Sequence, residues 1–152
     1  MAAENFNTDP DLEIIASRII NASQSMVFEA WANPNHLKHW WGPAGFTNTF
    51  HEFDLRVGGK WDFTMHGPDK GHYHNLVEFT KIEKPVRIEW RRHSKPLFNI
   101  AARFDKITEN TTSVIFRMIF DTAEECSKLR PYVVDKNEEN LDRLESELAK
   151  MK

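Results

Sequence analysis

Lys60-Trp61-Asp62-Phe63-Thr64-Met65-His66 alternates polar and apolar side chains without a break. A strand sends successive side chains to opposite faces, so Trp61, Phe63 and Met65 share one face while Lys60, Asp62, Thr64 and His66 share the other. The same period returns downstream. Val86, Ile88 and Trp90 alternate with Arg87, Glu89 and Arg91; Phe98, Ile100, Ala102 and Phe104 follow, and then Val114, Phe116, Met118 and Phe120. This is the pattern of an antiparallel sheet with one apolar and one wetter face. Turn-forming residues separate the runs at 57–59, 67–71, Lys84-Pro85 and Glu109-Asn110. Residues 47–120 therefore read as six strands.

Working outward, Leu12 to Ile20 is rich in β-branched residues and supplies a seventh strand. Polar, cap-forming residues follow at 21–25, and Val27, Phe28 and Trp31 then recur at helical spacing until Pro34 interrupts. A second short helix is predicted over 35–41, stopped by Gly42-Pro43. At the other end, Val133, Asn137, Leu141, Leu144, Leu148 and Met151 form one stripe of a long helix, with Glu138, Glu139, Asp142, Arg143, Glu145 and Lys150 on its solvated side. Pro131 is acceptable in the first turn of that helix and would kink it if placed deeper. The expected fold is α+β: about seven antiparallel strands curved around a long C-terminal helix, with two short helices closing one end. Residues 1–11 are expected to be a flexible lead-in and 12–152 a single domain.

Composition excludes several classes. A chain of 152 residues with 40% hydrophobic and 28% charged residues suits one globular domain and argues against disorder. The single Cys126 cannot build an internal disulfide framework or a cysteine zinc site. A net charge of −3 gives no global footprint for nucleic acid. No stretch reaches the roughly 18–20 apolar residues needed to span a bilayer. The polar, acidic start does not resemble a secretory signal, so a cytoplasmic location is expected.

Three motifs occur in order: Trp40-Trp41-Gly42-Pro43-Ala44-Gly45-Phe46, Phe53-Asp54-Leu55-Arg56-Val57-Gly58-Gly59 and Met65-His66-Gly67-Pro68. Together they resemble the family of activator of heat-shock protein 90 ATPase homologues, within the START-like superfamily of polyketide cyclases and lipid carriers. The resemblance runs from the first strand to the last helix. It implies a helix-grip fold, in agreement with the pattern read from the residues, and leaves function open among carriers, receptors, cyclases and co-chaperone domains. The co-chaperones that give the family its name place a separate domain ahead of this one. This chain starts close to its first strand, so stimulation of a chaperone ATPase is not expected.

A helix laid over a curved sheet leaves a cavity wherever side chains fail to fill it. Its candidate lining is Trp61, Phe63, Met65, Trp90, Ile100, Phe104, Phe116 and Met118 from the sheet, with Leu141 and Leu144 from the helix. Trp40, Trp41 and Phe46 are expected near an entrance, or, alternatively, as anchors of the short helix onto the sheet. A close-packed core made of the same residues is the competing reading. His66, His72 and His74, with Asp69, are weak candidates for a divalent metal at a hairpin tip. Glu52, Asp54, Asp62 and Glu78 could act as acids or bases only if buried, and the alternation points most such charges outward. Asp54 and Arg56 read as an ion pair or bulge that fixes the turn, and Cys126 as a spectator. No catalytic residue and no cofactor is assigned. Between Lys81 and Lys106, eight Lys or Arg face three acids, either a patch for an acidic partner or an ordinary solvated face. The expected function is non-enzymatic binding of a small hydrophobic or amphipathic molecule. The alternatives are a chaperone-binding interaction domain and a cyclase-like enzyme. Monomer and homodimer are both open.

Overall fold

In a computed structural model, which describes residues 9–152, the sheet strands are β1 (Glu13–Ile20), β2 (Thr47–Phe53), β3 (Lys60–His66), β4 (His72–Glu83), β5 (Arg87–Arg92), β6 (Phe98–Thr108) and β7 (Thr111–Phe120). The helices are α1 (Gln24–Ala32), α2 (Pro34–Trp40) and α3 (Ala123–Met151). A 3-10 turn, Pro10–Leu12, precedes β1, while the first eight residues of the expected lead-in lie outside the described residues. The strand order is β1-β7-β6-β5-β4-β3-β2, every neighbouring pair antiparallel. Six strands form a meander and β1 returns to pair with β7. This is the helix-grip architecture.

Register decides what shares a face. Trp61 lies opposite Val77, Phe79 opposite Trp90, Trp90 opposite Ile100, and Ile100 opposite Met118. Directly paired residues project to the same side, so one aromatic and aliphatic surface runs across the inner face. Bulges at Phe50/Glu52, Phe79/Lys81 and Lys106/Thr108 bend the strands and curve the sheet around that surface.

The short helices follow from local chemistry. The Ser23 hydroxyl accepts from the Met26 N–H to start α1. Asn33 ends α1 and caps α2, its side chain accepting from the Asn35 N–H, with Pro34 in the first turn. Thr112 Oγ1 donates to the buried Ala22 carbonyl and ties this corner to β7.

The long helix α3 begins at Ala123, well ahead of the apolar stripe that announces it. Thr122 caps it by accepting from the Glu125 N–H, and Glu124 and Glu125 suit the positive end of its dipole. Pro131 therefore sits deep in the helix rather than in its first turn. Of 29 residues and about 44 Å long, α3 packs on β1, β7, α1 and α2. Arg18 of β1 binds Glu138, Asp142 and Glu145 at 2.7–2.8 Å, three acids on one helix face gathered by one guanidinium. Partial burial opposes its charge, but these bonds hold Arg18 above the ordinary arginine range. Cys126, expected at the surface or partly buried, is fully buried, because the 3-10 turn folds back over the start of α3 and Arg130 donates to the Pro10 and Glu13 carbonyls and to Cys126 Sγ. Burial pushes its thiol up, away from nucleophilic use. No helix among the described residues is long and apolar enough to cross a membrane.

Two outcomes follow from this packing. Leu144→Ala, at a fully buried position, should cost about 2–5 kcal/mol in denaturant unfolding; a loss below about 1 kcal/mol would mean the helix is not packed as described. Arg91 forms two hydrogen bonds to Asp121 and holds its carboxyl below the usual range. A depressed carboxyl contributes stability that is present above its unfolded value, near pH 4, and is lost as pH falls through the folded value. Stability measured from pH 5 downward should therefore fall less steeply in Asp121→Asn than in the parent protein.

Candidate functional site

Beyond Trp40 the chain cannot continue as helix, since Trp41 is extended and Gly42 takes φ +101°. A side chain at Gly42 would be strained there, and its Cβ would lie 2.7 Å from Met65 Cε. This loop presents carbonyls toward α3, where Arg143 collects them. Its Nη1 donates to the carbonyls of Trp41, Gly42 and Pro43 at 3.3, 3.0 and 2.9 Å, and Nη2 to those of His39 and Phe46, both at 2.9 Å. Asn140 accepts from the Gly42 N–H and Glu139 from the Ala44 N–H. Burial lowers the Arg143 pKa from its ordinary value, and the carbonyl oxygens serve in place of a carboxylate.

The clamp fixes two tryptophans. Trp40 is buried with its indole N–H donating to the Ala30 carbonyl, so it anchors α2. Trp41 lies half-buried over the middle of the inner face, its ring centroid 5.9 Å from Trp31, 5.6 Å from Trp61, 5.5 Å from Trp90 and 5.9 Å from Phe116. Phe46 is half-buried near the rim, 6.2 Å from the ring of Tyr73.

Of the other residues expected to line a cavity, Trp61, Phe63, Trp90, Ile100, Phe104, Phe116, Met118, Leu141 and Leu144 are buried in one apolar cluster, and Met65 is half-buried against it. Trp31, Phe50, Phe53 and Phe79 join the same cluster without having been singled out. Helical spacing marks Trp31 as buried, but not that α1 would aim it into the sheet, with Trp40, Phe104 and Phe116 around it. Within this wall, the indole nitrogens of Trp31 and Trp61 are buried without a hydrogen-bond partner.

Coverage of the inner face is uneven. From Asn137 to Leu148, α3 buries Asn137, Asn140, Leu141, Leu144, Glu147 and Leu148, whereas no residue from 127 to 136 is fully buried. Leu129 and Val133 on that first half are only half-buried, and so are Arg92 and Phe98 of the sheet and Met65, which lies near Gly42. A surface depression of about 550 Å³, reaching from Pro96 to Leu129, borders this end. Arg92 was not among the expected site residues, although the alternation carries the signal: Ile88, Trp90 and Arg92 lie two apart on one strand. It pairs with Val77 on the inner face.

The histidines are divided. His66 and His72 face each other across the hairpin with their Nδ1 atoms 2.7 Å apart, but His74 turns to Asp62 at 2.6 Å. Asp69 accepts from the Gly71 N–H and the Tyr73 hydroxyl, which hold it below the ordinary aspartate range. Among the described residues no group of three metal-ligating side chains converges. The candidate acids lie on the outer face or in turns: Asp54 accepts from Arg56, Glu78 from Lys60 and His93, and Glu52 is exposed. Glu89, also on the outer face, is buried instead of solvated. The basic stretch is largely neutralised, with Arg87 beside Glu83, Arg91 on Asp121, Arg103 on Asp105 and Lys106 near Glu109.

The family model described as activator of Hsp90 ATPase homolog 1-like protein matches residues 21–149. Solved structures share the fold. A protein of Arthrobacter aurescens, determined in solution, is 24% identical with a TM-score of 0.85, covering 95% of this chain and 90% of its own. A crystal structure from Nitrosomonas europaea is 18% identical with a TM-score of 0.87, over 95% and 98%. A protein of Aeromonas hydrophila, described as like the same activator, is 18% identical with a TM-score of 0.73, over 92% and 94%. No curated protein matches.

If Arg143 holds the loop, Arg143→Ala should cost about 2–4 kcal/mol in denaturant unfolding and shift tryptophan emission to the red as Trp41 gains solvent. Arg143→Lys keeps the charge but cannot span five carbonyls, so it should fall between the two. Unchanged emission and stability in the alanine variant would show that the loop needs no clamp.

Proposed function

The chain belongs to the activator of Hsp90 ATPase homolog 1-like family, whose fold suits ligand binding or a co-chaperone-like role, and from that premise we propose that it binds a small, largely apolar molecule on the inner face of the sheet. The observation that carries this reading is the pair of buried indole N–H groups on Trp31 and Trp61, set in an aromatic wall without acceptors. A buried donor left unpaired costs about 1–3 kcal/mol, and such groups in native proteins call for a partner. A ligand with an acceptor atom, entering where Phe98, Leu129 and Val133 are only half-buried, supplies one. Trp41 lies over both tryptophans, so entry to the deeper wall requires it to swing aside; the ligand's apolar surface then replaces the contacts Trp41 gives up. Affinity comes from burial at about 25 cal/mol per Å² of apolar surface.

Two other readings have less support. An interaction surface built on the basic stretch is weakened by the ion pairs that occupy Arg87, Arg91 and Lys106. Acid–base catalysis needs a titratable group open to a ligand on the inner face; among the described residues the sheet offers Arg18, Arg92 and, at the rim, Tyr73, whose phenol is raised further by Asp69, while the buried Glu147 of α3 is engaged by His36 of α2.

Native mass spectrometry of freshly purified protein should show an added mass released by organic extraction. Extracted protein should then bind the uncharged fluorophore 1-aminoanthracene, and Val133→Trp, which fills the half-covered mouth, should reduce that binding at least ten-fold with little change in melting temperature. Undiminished binding in both Val133→Trp and Met65→Trp would move the site elsewhere.

A further inference from the structure

Strand register places two arginines on the apolar inner face: Arg18, directly across from Val114, and Arg92, directly across from Val77 and two residues beyond Trp90. Burial penalises the charge of Arg92 and lowers its pKa from the ordinary arginine value. Elsewhere in the sheet the arginines have acidic partners: Arg18 on α3, Arg91 on Asp121, Arg103 on Asp105, Arg117 on Glu13. Arg92 has none among the described residues. Its guanidinium lies 5.6 Å from the centre of the Phe98 ring, Nε donates to the Ser94 carbonyl at 2.9 Å, and Nη2 donates to the Lys95 carbonyl at 3.2 Å. Those two bonds and the ring fix the plane of the guanidinium and leave Nη1 without an acceptor among the described residues.

Position adds to this. Arg92 is half-buried beside the half-buried Phe98, at the end of β5 where the depression between Pro96 and Leu129 opens, and Leu129 and Val133 on α3 are half-buried as well. Buried polar side chains border the same end: Asn75, two residues along the inner face of β4, and Asn137, whose amide lies 3.4 Å from Met118 Sδ. Inward from them the surface turns wholly apolar, to Trp90, Ile100 and Phe116. Asp121 and Glu125, the nearby acids at the base of α3, lie toward Arg91, which binds Asp121 and is drawn further by Glu125. A rigid planar cation at the mouth of an apolar face, with a free edge and no internal counter-charge, has the chemistry of a receptor for a planar or tetrahedral oxyanion.

Building on the binding reading above, we infer that the ligand is an amphipathic anion, with its oxyanion head on Arg92 and its apolar tail running inward toward the tryptophans. The head gains charge-assisted hydrogen bonds in a partly desolvated site, and the tail gains burial. A neutral molecule of the same length gains only the second.

The test compares decanoate with 1-decanol by calorimetric titration of the extracted protein at neutral pH. Decanoate is expected to bind at least ten-fold more tightly. Arg92→Met should bring decanoate down to the level of the alcohol while leaving 1-decanol within about two-fold, and Arg92→Lys should retain part of the preference because it keeps the charge but loses the fork. Decyl phosphate beside decanoate tells the two oxyanions apart, and either preference upholds the inference. Equal binding of decanoate and 1-decanol by the parent protein overturns the anionic anchor and leaves the apolar site standing. Equal weakening of both ligands by Arg92→Met also overturns it, since Arg92 would then only pin the loop through Ser94 and Lys95. If neither ligand binds, the inference and the binding site fall together.

Discussion

The arrangement of the inner face depends on one guanidinium. Arg143 stands on α3 where the helix crosses the loop after α2, and it accepts the burden of five backbone carbonyls that no strand or helix can satisfy. A loop pressed between a helix and a sheet would otherwise carry unpaired polar groups out of water, at a cost per group comparable to a lost hydrogen bond. With the carbonyls satisfied, Gly42 can hold its positive φ, Trp40 can lock α2 through the Ala30 carbonyl, and Trp41 can lie across the aromatic wall. The compactness of this corner thus rests on satisfied polar groups as much as on apolar packing.

The helix is fastened unevenly, and the site grows from that. Its second half is tied to β1 through Arg18, to the loop through Arg143 and to α2 through the contact of Glu147 with His36 at 2.9 Å. The first half is held along one side, by Cys126 and Arg130 against the N-terminal turn, while the side carrying Leu129 and Val133 stays partly open. Pro131 falls in this half, where it removes a backbone donor and one helical hydrogen bond. The sheet likewise has half-buried Phe98 and Arg92, stacked on each other, in place of a closed aromatic surface.

Much of the fold was legible because a sheet with one buried face imposes a period of two that few other arrangements mimic. Trp61-Phe63-Met65, Ile88-Trp90 and Phe116-Met118-Phe120 gave the strands and their inner face together. The start of α3 was left open, with Pro131 in the first turn or deeper, because its signal is a cap, Thr122 with Glu125, and the apolar stripe thins out ahead of Val133. Cys126 read as at most partly buried for a similar reason: its neighbours along the chain are charged, and what buries it comes from residues 10–13. The lining residues were found by alternation, yet alternation says nothing of Trp31 and Trp41, which reach the wall from helix and loop.

Sequence alone determined the alternating strands, the hairpin turns, the amphipathic helix and hence the family, since each is written in spacing between near neighbours. Tertiary structure decided which charges are neutralised. Arg18, Arg91, Arg92 and Arg143 look alike in the chain, and Arg18 and Arg91 end on acids and Arg143 on five carbonyls, while Arg92 is left beside Phe98 with two carbonyls and, among the described residues, no acid. That difference rests on distances between residues as far as 127 positions apart in the chain, as in Arg18 and Glu145, which a local pattern does not encode.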